Sequence, residues 1–238
     1  MEIIPAIDIM QGQCVRLSEG DFTRRTTYSP DPVAVAQRFE QAGLRRLHLV
    51  DLDGARAGQP VNLSVLEAIS RHTNLVIDAG GGIQTEDSLV QVLAAGAQHV
   101  TAGSLAVRAP ATVRAWLRSQ GPDTIFLGAD FKDGRIMTGA WTEESTRTLE
   151  AFIADYLAAG ALTFICTDVS KDGMLQGPSL ATYQRLVQQF PAARFIASGG
   201  VTTVADLEAL AEAGMFGAII GKALYEGSIA LEDLQPFL

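Results

Sequence analysis

Five aspartates, Asp8, Asp51, Asp78, Asp130 and Asp168, each close an apolar run of the sequence. A carboxylate at the point where a strand gives way to its loop is well placed to act on a bound molecule. Two such groups facing each other suit general acid and base work, because burial and neighbouring charges can hold one protonated near neutrality while the other stays ionised. Asp8 and Asp130 end the first and fifth apolar runs, at equivalent places in two halves of the chain, and are read as that pair. A second group of residues is glycine-rich: "AGGGI" (79–83), "AGS" (102–104), "ASGGV" (197–201) and "IIGKAL" (219–224). Glycine inside regular structure costs about 0.5–1 kcal/mol relative to alanine, so such runs mark sharp turns or a close approach of backbone to another group. Turns of this kind bring N–H groups and helix N-termini toward one point, where an anion can bind. Each feature also has a plain structural reading: a tight turn for the glycines, and a cap or salt-bridge partner for an acid, Asp51 and Asp78 above all. The three histidines compete poorly as catalysts, with His48 inside a strand, His72 near a helix end and His99 at a strand start.

The elements that must position these residues follow from periodicity. Strands are expected at 2–8, 45–51, 74–80, 98–103, 124–130, 162–168, 193–199 and 217–221. Between them lie amphipathic stretches such as "DPVAVAQRFEQAG", "EDSLVQVLAAG", "LEAFIADYLAAG" and "VADLEALAEAG", each closed by a glycine suited to a helix C′ position. Eight short strands alternating with helices predict a single (β/α)8 TIM barrel over residues 1–238, in which catalytic groups sit at the C-terminal ends of the strands. Sliding the sequence by 118 positions lays "AGGGIQTEDSLVQVLAAGAQHVTAG" (79–103) over "ASGGVTTVADLEALAEAGMFGAIIG" (197–221) without a gap. An offset of 117 pairs Ala42, Gly43 and Asp51 with Ala159, Gly160 and Asp168. The chain therefore reads as two half-barrels, about 1–121 and 122–238, each with its own pair of anion-binding turns.

Composition limits the partners. A formal charge of −9 leaves no basic footprint for nucleic acid or an anionic membrane, and an anionic ligand must be held by peptide dipoles at a local site. No charge-free apolar stretch approaches the roughly 20 residues of a membrane span, and "MEIIPAIDIM" has an acid where a secretory signal would carry Lys or Arg. Two cysteines, Cys14 and Cys166, are too few for a disulfide framework and fit no metal spacing, which favours a reducing, cytoplasmic setting.

Taken together, "IPAIDIMQGQCVRL", "YSPDPVAVA", "HLVDLDGA", "GGGI", "TDVSKDGMLQGP", "IASGGV" and "IIGKALYEG" resemble the ProFAR isomerase family of histidine biosynthesis, in the expected order from Ile4 to about Gly227. The sister cyclase subunit of imidazole glycerol phosphate synthase shares the half-barrel symmetry, but it usually has a Cys in the first strand and lacks "VDLDGA" and "GKALYEG". The resemblance implies an Amadori rearrangement of an aminoaldose to its aminoketose, on a small substrate with a phosphate at each end and with no metal or organic cofactor. It assigns the base to Asp8 and the acid to Asp130. One phosphate falls to Gly81, Gly82, Gly103 and Ser104, the other to Gly199, Gly200, Gly221 and Lys222. Asp168 would position the ribose or supply a proton, Arg16 would close over the ligand, and Trp141 would offer a face to the imidazole ring. A monomer is expected. Three positions depart from the family pattern: Gln84 where Arg is usual, Ala140 before Trp141 where Gly is usual, and Met174 in place of Thr. Two other functions are compatible with such a chain, a dual-substrate isomerase that also takes phosphoribosylanthranilate and a non-catalytic sensor of a phosphorylated ligand.

Overall fold

The computed structural model describes residues 1–18, 21–139 and 141–238, so that Ala140 lies outside the described residues. The chain forms two compact units, Glu2–Val100 with Ile220–Leu238, and Thr101–Ile219 together with Met1. The first contains β1 (Glu2–Met10), β2 (Gln13–Ser18), β3 (Asp21–Ser29), α1 (Pro32–Gln41), β4 (Arg46–Asp51), α2 (Leu52–Ala57), α3 (Leu63–His72), β5 (Val76–Gly80), α4 (Glu86–Ala94) and the start of β6 (His99–Ala102). The second holds α5 (Ser104–Arg108), α6 (Pro110–Gln120), β7 (Ile125–Lys132), β8 (Arg135–Thr138), β9 (Glu143–Thr148), α7 (Leu149–Ala158), β10 (Thr163–Asp168), α8 (Leu180–Gln189), β11 (Arg194–Ser198), α9 (Val204–Glu212) and most of β12 (Gly217–Ile220). The chain then returns to the first unit with α10 (Lys222–Tyr225) and a terminal 3-10 helix (Leu231–Phe237). Eight parallel strands, β1, β4, β5, β6, β7, β10, β11 and β12, with helices between them, make this a (β/α)8 barrel fold.

The helices start and stop where the sequence provides caps. Asp31 accepts the Ala34 amide at 3.0 Å with Pro32 at the first helical position, and α4 and α9 open on capping boxes at Thr85/Ser88 and Thr203/Asp206. Each of the four glycine stops, Gly43, Gly96, Gly160 and Gly214, has a left-handed φ, between +81° and +110°. Among the described residues, no helix is long and apolar enough to cross a membrane.

In the first unit the register aligns Ala6 with His48, Asp78 and His99 on neighbouring strands, and Asp8 with Val50 and Gly80 one step further along. Side chains alternate along a strand, so these two rows share one face. The other face carries Leu49 and Ala79, which line a small cavity together with Leu63, Leu66 and Val92 of the covering helices. In the second unit Asp130 aligns with Thr167 and Ser198, while Asp168 aligns with Phe131 on the opposite face.

Two features depart from the expected string of strands. β1 and β7 run two residues past Asp8 and Asp130, to Met10 and Lys132, and each then reverses into an antiparallel partner. Each reversal turns on consecutive left-handed residues, Gln11 and Gly12 (φ +54° and +72°) and Asp133 and Gly134 (φ +50° and +75°). This is the hairpin turn whose twist matches paired strands. β2–β3 and β8–β9 are thus ordered extensions of the loops that follow the two acid-bearing strands.

Candidate active site

Within the first unit, Asp8 forms an ion pair with Arg16 on the adjacent β2, Nη1 to Oδ2 at 3.1 Å, and both side chains are largely buried. The guanidinium lies flat against Gly221: a Cβ built there would come within 2.7 Å of Arg16 Cζ and Nη1. Gly221 caps α10 and Lys222 is its first residue, so the turn and the β2 arm pack as one piece. The Tyr225 hydroxyl donates to Ala6 O at 2.9 Å and lies 3.1 Å from Cys14 Sγ, and its ring stacks on Tyr28 at 4.7 Å. Burial pushes the Cys14 thiol up, so it stays neutral at physiological pH.

The Gln11–Gly12 turn is fixed by the next loop. Asp53 Oδ2 accepts the Gln11 amide at 2.6 Å, and Asn62 Oδ1 accepts that of Gly12 at 3.2 Å. Asn62 in turn donates to Asp51 and Asp53. Asp51 points into its own loop, where its two oxygens accept from Gly54 N, Val61 N, Asn62 N and Asn62 Nδ2 at 2.7–2.8 Å. Asp78 is held by His48, Nδ1 to Oδ2 at 2.6 Å, on the same strand face as Asp8. His72 and His99 have structural contacts, His72 Nδ1 with Ala68 O at 2.8 Å and His99 Nε2 near Arg46 at 3.4 Å.

The second unit repeats this plan. Asp130 Oδ2 accepts the indole N–H of Trp141 at 2.9 Å, so Trp141 meets the acid itself. To do so Trp141 adopts φ +71°, a conformation that costs a non-glycine residue about 1–2 kcal/mol. Ser104 Oγ accepts the Gly139 amide at 3.2 Å, fixing the loop that leads to Trp141. Gly103, just before it, is the N-cap of α5. Asp168, like Asp51, turns into its loop: it accepts from Ser170 N at 3.0 Å, from Ser170 Oγ at 2.6 Å and from Ser179 Oγ. Burial, then the charge of Asp130, raises the Cys166 thiol well above its ordinary range.

The glycine turns of the two units match. Gly81, Gly82, Gly199 and Gly200 all have φ between +77° and +100°. A Cβ on Gly81 would strike the carbonyl of Asp51, and one on Gly199 would lie 2.8 Å from the carbonyl of Asp168. One on Gly82 would lie 2.6 Å from the carbonyls of Gly54 and Gln59, and one on Gly200 would strike that of Gly177. Glycine is needed here because each turn is packed against the backbone of the preceding loop. Gln84 rests beside Gly58, and Met174 is exposed.

The sequence profile of the family described as "Histidine biosynthesis protein" matches residues 2–230. The chain belongs to this family. It is 50% identical over 238 residues, covering 100% of both chains, to a protein of Bacteroides fragilis named 1-(5-phosphoribosyl)-5-((5-phosphoribosylamino)methylideneamino)imidazole-4-carboxamide isomerase. Proteins of the same name from Bacteroides thetaiotaomicron and Cytophaga hutchinsonii are 49% and 48% identical, with 100% of this chain and at least 99% of theirs covered. Among the residues of this histidine-biosynthesis chain that hold the site in shape, Asp53, Asn62 and Tyr225 escaped the sequence reading. Their types gave no signal of their own, although all but Asn62 lie inside the motifs "VDLDGA" and "GKALYEG".

Proposed function

We propose that this chain is the isomerase of histidine biosynthesis that converts the doubly phosphorylated aminoaldose ProFAR to its aminoketose. The observation that carries the reading is the equivalence of Asp8 and Asp130, which occupy matching places on β1 and β7, each three residues before a left-handed hairpin turn. Similarity to the named isomerases along the whole chain supports it.

In this reading Asp130 donates the proton that opens the ribose ring and lets a Schiff base form. Asp8 takes the C2′ proton, and the resulting enolamine tautomerises to the ketone. The indole of Trp141 orients the Asp130 carboxyl through its N–H, which limits the acid to one geometry. Gly81, Gly82, Gly103 and Ser104 receive one phosphate, and Gly199, Gly200, Gly221 and Lys222 the other, through backbone N–H groups and the Lys222 charge. Asp168 contributes by shaping the loop beside Gly199. The chain works as a cytoplasmic monomer on a small molecule, without metal or organic cofactor, and its two buried thiols remain reduced.

Incubating the purified protein with ProFAR in the presence of a chelator tests this. Formation of the aminoketose is expected. Absence of conversion, with the protein folded, would overturn the assignment.

A further inference from the structure

We infer that Arg16 is a shared cation, paired with Asp8 and drawn to an anion that binds at the Gly221–Lys222 turn, so that ligand binding itself uncovers the base. This rests on the reading of that turn as a phosphate site.

Three observations support it. The Arg16–Asp8 pair is 3.1 Å long, and each side chain is only 13% exposed, so water does not readily replace either partner. The same guanidinium covers Gly221, where a Cβ would meet Cζ, Nη1 and Nη2 at 2.7–2.8 Å. Gly221 has φ −110° and ψ −95°, outside the left-handed region, and its missing side chain leaves the room that the Arg16 guanidinium fills. Finally, the supports on either side are fixed. Asp53 and Asn62 hold the turn that leads into β2, and Tyr225 joins β2 and β1 to α10 through Cys14 and the Ala6 carbonyl. With both ends anchored, the side chain of Arg16 is the part able to change partners. A guanidinium presents five donors in a planar fork and can serve two acceptors in turn or together.

The chemical consequence concerns Asp8. A carboxylate paired with a guanidinium is stabilised in its ionised form and is a weak base. A phosphate at the turn competes for the same donors, and as Arg16 shifts toward it the carboxylate regains its affinity for a proton. The base is then strengthened only when substrate is present.

Binding of inorganic phosphate, measured by calorimetry on wild type, Asp8→Asn, Arg16→Met and the double variant, tests the exchange, because binding couplings are reciprocal. Asp8→Asn removes the competitor and should tighten phosphate binding about three- to tenfold. In the Arg16→Met background the same change should have no effect. An unchanged affinity in Asp8→Asn, or an equal gain in both backgrounds, would overturn the inference, the latter by showing that only the general field had changed. If phosphate neither binds the wild type nor competes with substrate, the phosphate reading fails first and the exchange with it. A crystal of the wild type soaked in phosphate should show Arg16 turned to an anion at Gly221 and away from Asp8; an anion there with the ion pair intact would also refute it.

Discussion

Asp8, Asp51, Asp130 and Asp168 look alike in the sequence, each closing an apolar run, yet the strand register sorts them into two kinds. Asp8 lies on the face shared with Ala6, His48 and Asp78, whereas Asp51 pairs with Ile9 on the opposite face and folds back into its own loop. Asp130 and Asp168 divide in the same way around Thr167 and Phe131. A one-residue difference in parity thus separates Asp8 and Asp130, the proposed acid–base pair, from two acids that order backbone. The presence of acids at strand ends was legible from the sequence; their parity was not, because the run lengths alone do not fix which residue starts the pleat. Asp51→Ala should lower the unfolding free energy by about 2–3 kcal/mol, since three backbone amides and an Asn side chain lose a charged acceptor. Urea denaturation measures this, and a change below about 0.5 kcal/mol would mean that the loop is ordered by something else.

At the level of elements, the eight parallel strands and the glycine-closed helices were readable because period, caps and C′ glycines all agree. The hairpins β2–β3 and β8–β9 were missed. Their outer strands, "DFTRRTTYS" and "EESTRT", are polar in sequence and have no apolar alternation to betray them. The Asp133-Gly134 pair was an available hairpin signal, while Gln11-Gly12 is a weak one. The glycine turns lead to a paired prediction. Gly82→Ala and Gly200→Ala should each destabilise the fold by about 2 kcal/mol or more, because both need a left-handed backbone and both face a carbonyl. Thermal unfolding should show comparable losses; a large loss at one site and none at the other would break the equivalence of the two turns. A second element-level link is Asp155 on α7, which bridges Arg147 on β9 at 2.6 Å and Arg114 on α6 at 2.7 Å. The hydrogen bond from Arg147, with the charge of Arg114, holds its carboxyl below the usual range although burial opposes this. Its folded value lies below the unfolded one, so the stabilisation is complete above about pH 4 and is lost as the pH falls through the folded value. Asp155→Asn should therefore cost up to about 1 kcal/mol at pH 7, discounted for its partial exposure, and progressively less as the pH falls below about 4. A cost that persists unchanged at pH 2 would assign the effect to packing instead.

For the molecule as a whole, the informative feature is repetition. The offset of 118 residues that aligns the glycine turns also aligns the capping boxes of α4 and α9, and a shift of 122 carries Asp8, Gln11 and Gly12 onto Asp130, Asp133 and Gly134. Duplicating one strand–turn device gives the chain two acids and two sets of glycine turns, the number that the proposed substrate, with a phosphate at each end, would call on. What the duplication does not supply is the difference between the acids: Asp8 is paired with a cation and Asp130 with an indole N–H. The two carboxyls are thus held by different partners, and the proposed division into base and acid rests on that difference. The turnover of ProFAR by Asp8→Asn and Asp130→Asn tests this directly, because the amide keeps the shape of the side chain and removes its proton transfer. Each variant should remain folded and lose at least about 10²-fold in kcat, the usual scale of a lost general acid or base. Near-wild-type turnover in either one would contradict the two-acid account.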